Sequence, residues 1–127
     1  MEREAVGGWL TRYVQAWGSY DRAAIEGLFG DDAEYRYHPW DEPLRGGPAI
    51  ADDWLRDRDE PGTWDAEYVP YAADGDVAVA TGVSRYYTDA TRSTLDRTYH
   101  NVFLLRFGAD GRCVSFTEVF LRAPSEG

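Results

Sequence analysis

Apolar residues recur along this chain with two different periods. From about residue 3 to 18 they return every three or four positions, which predicts an amphipathic helix. Asp21 is suited to cap a second, short helix that extends to Phe29. Pro48 is suited to the first turn of a third helix, which extends to about Leu55. The N-terminal half therefore predicts three helices.

A period of two, typical of strands, appears from residue 33 and dominates the C-terminal half. We expect one strand before the third helix and three or four longer strands after it, at residues 33–38, 64–72, 76–87, 97–107 and 112–121. Asp74-Gly75 and Asp110-Gly111 are hairpin signals, whereas residues 88–96 form a longer, mobile connection. Helices followed by antiparallel strands predict an α+β fold, a cone in which three helices pack on a curved, mainly antiparallel sheet.

Length and composition indicate an ordinary globular protein. The chain has 127 residues, of which 43% are apolar and 28% charged, and we expect one domain, 1–127, with a frayed tail at 123–127. No apolar run reaches the roughly 18 residues that a membrane span needs, and the first residues lack a signal-peptide pattern. The lone Cys113 excludes an internal disulfide and favours a cytoplasmic location. A net charge of −10 argues against nucleic acid and anionic membranes as partners.

The last predicted strand contains a carboxylate among apolar residues. Phe116, Glu118 and Phe120 share one face, and the larger apolar residues of this strand lie on it, so that face should point inward. A buried carboxylate must find a partner or its pKa must rise. Glu118 is therefore a candidate general acid or base.

The two preceding strands suggest neighbours for Glu118. Tyr99, Asn101 and Phe103 share the face predicted to be inward, which places His100 outside. In the strand before, Val79 to Arg85 alternate in the same way, and Arg85 is a candidate partner for Glu118. Two interpretations stay open: a poised catalytic carboxylate, or a structural group that pairs with Arg85 or accepts hydrogen bonds from Tyr and Asn neighbours.

The stretch around His38 is rich in aromatic residues. His38 is a candidate proton carrier because an unperturbed imidazole has a pKa of about 6.5. It alternates with Tyr35 and Tyr37, so its side chain should lie at the rim or outside unless a bulge near Pro39 turns it inward. Trp40, in the loop that follows, is either a lid residue or a dimer contact. Aromatic residues with a few convergent polar groups predict an apolar pocket, whose aromatic members include Trp17, Tyr35, Tyr37 and Trp54.

The sequence does not predict a metal or cofactor site. The two histidines lie far apart in the chain, and the lone cysteine completes no ligand spacing. We therefore expect no cofactor.

Three segments resemble the nuclear transport factor 2-like superfamily, in particular SnoaL-like and ketosteroid-isomerase-like proteins. They are TRYVQAWGSYDRAAIEGLFGDDAEYRYHP, LRGGPAIADDWL and LLRFGADGRCVSFTEVF, and together they cover most of residues 11–121. The resemblance implies the conical fold, a deep apolar pocket and a homodimer, which we expect to form through the outer face of the sheet. Members of the superfamily are isomerases, dehydratases, polyketide cyclases, epoxide hydrolases and non-catalytic binders, so the fold alone does not decide the function.

The resemblance extends unevenly to catalytic positions. Tyr13 matches a hydrogen-bonding tyrosine that ketosteroid isomerases carry in their first helix. Their general base is an aspartate just before a proline, where this chain has His38 before Pro39, and Phe103 replaces their second oxyanion donor, an aspartic acid. The resemblance thus disfavours steroid isomerisation by that mechanism. We expect a small, largely apolar ligand and cofactor-free proton transfer, or else a non-catalytic binding or dimerisation module.

Overall fold

The computed structural model describes residues 1–124, arranged as three helices and six strands. The helices are α1 (Arg3–Ser19), α2 (Arg22–Gly27) and α3 (Gly47–Arg56). The strands are β1 (Phe29–Arg36), β2 (Leu44–Arg45), β3 (Trp64–Asp74), β4 (Val77–Tyr87), β5 (Leu95–Phe107) and β6 (Cys113–Arg122). The predicted α+β class, with helices on a mainly antiparallel sheet, is confirmed. None of the helices in residues 1–124 is long and apolar enough to cross a membrane.

Local chemistry explains where the helices begin and end. The Asp21 side chain accepts a hydrogen bond from the amide of Ala24 at 3.1 Å and caps α2, as the sequence predicts. Tyr20 ends α1 in the left-handed conformation, with φ of 50°. Gly46 precedes α3 with φ of 85°, and a Cβ there would lie 2.8 Å from the carbonyl oxygen of Asp31, so this turn needs glycine.

The six strands form one sheet in the order β2-β1-β6-β5-β4-β3. All pairs are antiparallel except β1 with β6, which run parallel. The long stretch of chain between β1 and β6 permits the crossover that parallel strands need. β2 lies within the segment that the sequence predicts as a loop, where Leu44 pairs with Tyr35. The long connection of the prediction is shortened to residues 88–94, and the Arg92 side chain binds the carbonyl oxygens of Gly62 and Trp64 there.

The core lies between α1, α3 and the inner face of the sheet, and it is largely aromatic. Trp9, Tyr35, Phe29, Phe103 and Phe116 are almost completely buried. The rings of Tyr35 and Phe116 stack with their centroids 4.5 Å apart and their planes 4° from parallel. This stack joins β1 to its neighbour β6, and the ring of Trp9 attaches α1 to the same strand, with its centroid 6.3 Å from that of Phe116.

The faces of β5 and β6 follow the predicted parity, but the face of β4 is reversed. Asn101, Phe103 and Phe116 are buried on the inner side. In β4 the inner positions are the even ones, because Ser84 pairs with Tyr99, and Arg85 therefore lies on the outer face opposite Thr98. The predicted tail at 123–127 falls partly outside the described residues, and Ala123 still donates a hydrogen bond to Thr98.

Candidate functional site

A cavity of about 700 Å³ lies between the helices and the inner face of the sheet. This volume is within the range of small-molecule sites, about 300–1,000 Å³. Its lining residues are Tyr13, Trp17, Tyr20, Tyr35, Tyr37, Asp53, Trp54, Arg56, Asp57, Asp59, Tyr68, Ser84, Tyr86 and Glu118. The exposed Arg56 and Asp57 mark where the cavity opens to solvent.

Glu118 brings an unpaired carboxylate to this cavity. It projects from the inner face of β6, between the buried Phe116 and the partly exposed Phe120. Burial raises the pKa of Glu118 to about 7, and the smaller effect of a positive charge on His38 acts in the opposite direction. Within residues 1–124 no side chain donates a hydrogen bond to this carboxylate or forms an ion pair with it. At neutral pH the group can therefore both accept and give a proton.

Tyrosines from three elements face Glu118. Burial first, and the charge of Glu118 second, raise the pKa of Tyr13 and of Tyr68. Burial is also the main cause of the raised pKa of Tyr35 and of Tyr37, and Glu118 contributes further. These phenols therefore stay protonated at neutral pH and can donate hydrogen bonds to a ligand.

Helix α3 places a second acid in the cavity wall. The hydroxyl of Tyr37 donates to Asp53 Oδ2 at 2.5 Å, and Arg56 lies 3.7 Å from the other oxygen of the same carboxylate. Within the described residues Asp53 is thus paired twice, whereas Glu118 has neither kind of partner. The free carboxylate is the better candidate for proton transfer.

A hydrogen-bonded loop after α3 forms part of the cavity mouth. The indole Nε1 of Trp17 donates to Asp59 Oδ2 at 2.9 Å, and the Asp59 amide donates to the hydroxyl of Tyr20 at 2.8 Å. Trp17 also stacks on Trp64 with ring centroids 3.6 Å apart. These contacts fix the loop against α1 and so fix the width of the opening.

His38 lies at the rim beyond β1 and does not line the cavity. Its Nδ1 is 2.9 Å from Asp41 Oδ2, and its ring stacks on Trp40 with centroids 5.0 Å apart. The ring also lies 5.5 Å from that of Phe120, on the face that carries Glu118. Asp41 orients the imidazole, while Trp40 is 80% exposed.

Five other predicted site residues lie beside or beneath the cavity wall. Phe103 and Phe116 are buried behind it and contact the ring of Tyr13. Asn101 is buried, and its side-chain amide donates a hydrogen bond to the hydroxyl of Ser84 at 3.1 Å. Ser84 lines the cavity. The Tyr99 ring contacts that of Phe120 with centroids 5.5 Å apart, next to the cavity and not on its wall.

The predicted pairing of Arg85 with Glu118 is not formed. Arg85 lies 3.5 Å from Asp65 on the outer face of the sheet. β5 separates β4 from β6, and the register turns Arg85 away from the interior. Tyr13, Trp17, Tyr35, Tyr37, Trp54 and Glu118 are the predicted site residues that do meet at the cavity.

Several lining residues are absent from the sequence prediction. Tyr68, Ser84 and Tyr86 are at even positions of β3 and β4. The alternation of side chains along a strand predicts these three residues when the even face of β4 points inward. Asp53 and Asp59 gave no such signal, because one lies on an apparently solvated helix face and the other in an irregular loop. In residues 1–124 no group of three His, Cys, Asp or Glu side chains is placed to hold a metal ion.

The cavity, the sheet order and the helix positions invite comparison with known proteins. A family model described as a SnoaL-like domain matches residues 10–116. The chain belongs to the SnoaL-like domain family. A comparison with curated proteins gave no significant match.

Two solved structures show how widely this fold is shared. An M. tuberculosis LEH-like epoxide hydrolase is 17% identical with a TM-score of 0.65, and the match covers 95% of this chain and 86% of that one. An NTF-2 like protein of unknown function from Burkholderia xenovorans LB400 is 18% identical with a TM-score of 0.69, covering 98% and 88%. At these identities the similarity establishes the fold only, which is consistent with the nuclear transport factor 2-like expectation.

Proposed function

We propose that this SnoaL-like protein is a cofactor-free enzyme that moves a proton on a small, largely apolar molecule bound in the cavity. The observation that carries the proposal is the carboxylate of Glu118, which has no partner among residues 1–124, has a pKa raised to about 7 and faces a cavity of about 700 Å³. A general acid or base works best when its pKa lies near the working pH. Isomerisation, dehydration, cyclisation and epoxide opening all fit such a group.

Glu118 and Tyr13 have complementary roles in this proposal. Glu118 accepts a proton from a substrate carbon or from an attacking water and then returns it. Tyr13 is protonated at neutral pH because burial and the charge of Glu118 raise its pKa, so it can stabilise a developing oxyanion by donating a hydrogen bond. His38, held by Asp41 at 2.9 Å, is the proposed second proton carrier at the rim.

The alternative is a non-catalytic carrier or dimerisation module. That interpretation requires a Glu118 paired with Arg85 or hydrogen-bonded to Tyr and Asn neighbours. Arg85 instead pairs with Asp65 at 3.5 Å, and no such hydrogen bond to Glu118 is formed within residues 1–124. A structural role would leave the carboxylate with a partner, since an unpaired buried charge is costly. The unpaired state therefore favours catalysis.

Ligand screening followed by variant kinetics tests the proposal. The purified protein is screened by thermal shift against ring-containing apolar molecules, including terpenoids, steroids, polyketide fragments and epoxides. A ligand at one hundred times its Kd should add about 2.7 kcal/mol to stability. Each hit is then assayed for conversion by product analysis.

Two variants decide whether Glu118 is catalytic. Glu118→Gln should bind the hit and lose at least about a hundredfold in turnover, the usual scale of general acid–base catalysis. Glu67→Gln removes an exposed carboxylate from β3 and should keep full activity. Wild-type turnover in Glu118→Gln, or no conversion of any bound molecule, would overturn the proposal.

We also propose that the protein forms a homodimer through the outer face of its sheet and acts in the cytoplasm. That face exposes Val69, Leu104, Val119 and Leu121 by 51%, 46%, 38% and 74%. Such a patch, which reaches from β6 to the edge strand β3, is typical of protein interfaces. Sedimentation equilibrium should give twice the monomer mass, and Leu104→Glu should shift it to the monomer. The lone, buried Cys113 is compatible with a reducing compartment.

A further inference from the structure

The charged side chains and aromatic rings of the cavity favour a ligand with one sign of charge. Among the described residues that line it, four are carboxylates, namely Asp53, Asp57, Asp59 and Glu118, and the one cation is Arg56. Arg56 already lies 3.7 Å from Asp53. An anionic ligand would meet uncompensated negative charge, which disfavours it at short range.

Most of the remaining wall consists of π surfaces. Eight of the fourteen described lining residues are Tyr or Trp. The faces of such rings carry negative potential and attract cations. Two of them already hold arginines: the Arg97 guanidinium lies 4.3 Å from the Tyr86 ring centroid, and that of Arg58 lies 5.6 Å from the Tyr20 centroid. Two rings of the cavity wall are therefore already in contact with positive groups of the protein itself.

We propose that the cavity selects an organic cation, a protonated or quaternary amine on a largely apolar frame, with the carboxylate of Glu118 as its counter-ion. The cation supplies the partner that the described chain does not give Glu118, and the aromatic walls hold the apolar frame. This inference rests on the proposed function in one respect, that the cavity is the ligand site. It adds the chemical class of the ligand.

Glu118 also sets the pH dependence of this binding. The titratable groups that face it are Tyr13 from α1, Tyr35 from β1, Tyr37 and His38 just after β1, Tyr68 from β3 and Tyr86 from β4. The phenols stay neutral because burial raises the pKa of each, so among the groups named here Glu118 is the one in the cavity wall whose charge changes near pH 7. Cation affinity should rise with pH through about 7 and then level off, because the ionised carboxylate is the binding form.

Isosteric ligand pairs test the inference without requiring turnover. Benzyltrimethylammonium is compared with neopentylbenzene, and choline with 3,3-dimethylbutan-1-ol; within each pair nitrogen is exchanged for carbon and the charge is lost. Quenching of tryptophan fluorescence reports binding between pH 5.5 and 8.5. The cation of at least one pair should bind at least about tenfold more tightly than its isostere at pH 8, the scale of a charge-assisted contact.

Variants separate the possible results. Glu118→Gln should remove the tenfold preference and the pH dependence, and Glu67→Gln should keep both. Equal or tighter binding of the neutral isosteres overturns the cation inference and leaves the proposed apolar-ligand site standing. Failure of both cations to bind also overturns it. Failure of the proposed function is recognised separately, by full turnover in Glu118→Gln.

Discussion

Phe103 and Glu118 lie directly opposite each other in the antiparallel register of β5 and β6. Phe103 is 1% exposed, so an apolar ring is the cross-strand neighbour of the carboxylate. A ring cannot donate a hydrogen bond to ionised Glu118, and it displaces water from one side. The raised pKa of Glu118 follows from this arrangement, because desolvation disfavours the charged form.

Replacing Glu118 should change how stability depends on pH. Unfolded glutamate ionises near pH 4.5, but the folded group holds its proton to about pH 7, so the folded state binds more protons between these values. Wild-type stability should therefore fall as pH rises from about 4.5 to 7. At 1.36 kcal/mol for each pKa unit, the loss is at most about 3 kcal/mol.

Denaturant unfolding of Glu118→Gln at pH 4 and pH 8 measures this effect. The variant should gain stability relative to the wild type by up to about 3 kcal/mol between the two pH values. Glu67→Gln, at an exposed position, should show no such gain. A difference between wild type and Glu118→Gln that does not vary with pH would contradict the raised pKa.

Phe103 itself should be essential to the core. Its ring contacts those of Tyr68 and Phe116 at centroid distances of 4.6 and 4.7 Å. Phe103→Ala should cost about 3–5 kcal/mol, because it leaves a cavity behind the site. Leu95→Ala, at a residue 53% exposed on the same strand, should cost less than about 1 kcal/mol. Comparable losses in both variants would show that Phe103 does not support the wall.

Arg85→Ala tests the corrected ion pair. Arg85 and Asp65 are both well exposed, with side chains 46% and 37% accessible, and such pairs contribute less than about 1 kcal/mol. The variant should unfold at nearly the wild-type denaturant midpoint, and its Glu118 should titrate unchanged by NMR. A loss of several kcal/mol would instead indicate the buried pair with Glu118 that the sequence suggested.

The sequence predicts strands well where large and polar residues alternate, and poorly where small residues face inward. β5 and β6 place phenylalanines on the inner face, so their alternation shows which positions point inward. In β4 the inner positions from Ala78 to Ser84 all carry small side chains, while valines lie outside. The side chains on the inner face of β4 must be small because the rings of Tyr68 and Phe103 fill the space in front of them. These rings belong to β3 and β5, so the sequence of β4 alone does not show the need for small residues.

The residues at the cavity mouth cannot be predicted from the sequence, for a different reason. Asp59 reaches the cavity because the chain after α3 is held by Trp17 and Tyr20, which are about forty residues away in sequence. Hydrophobic periodicity carries no information about such a loop. Glu118 can be predicted as a candidate site residue because a carboxylate interrupts the row of apolar residues on the inner face of β6.

Two glycine-to-alanine changes give a matched pair that probes the cavity wall. A Cβ on Gly82 would overlap the carbonyl oxygen of Glu67 and lie 2.8 Å from Tyr68 Cα, so β3 must move. Gly82→Ala should cost about 1–3 kcal/mol and weaken ligand binding, because Tyr68 lines the cavity.

Gly8→Ala is the control for Gly82→Ala, since a Cβ there meets nothing within 4 Å on the exposed side of α1. It should stabilise the protein by about 0.5–1 kcal/mol through helix propensity and leave binding unchanged. Thermal unfolding and fluorescence titration of both variants provide the measurement. If Gly82→Ala binds ligand as the wild type does, then β3 can yield without disturbing Tyr68, and the close approach of the two strands is not what shapes the cavity.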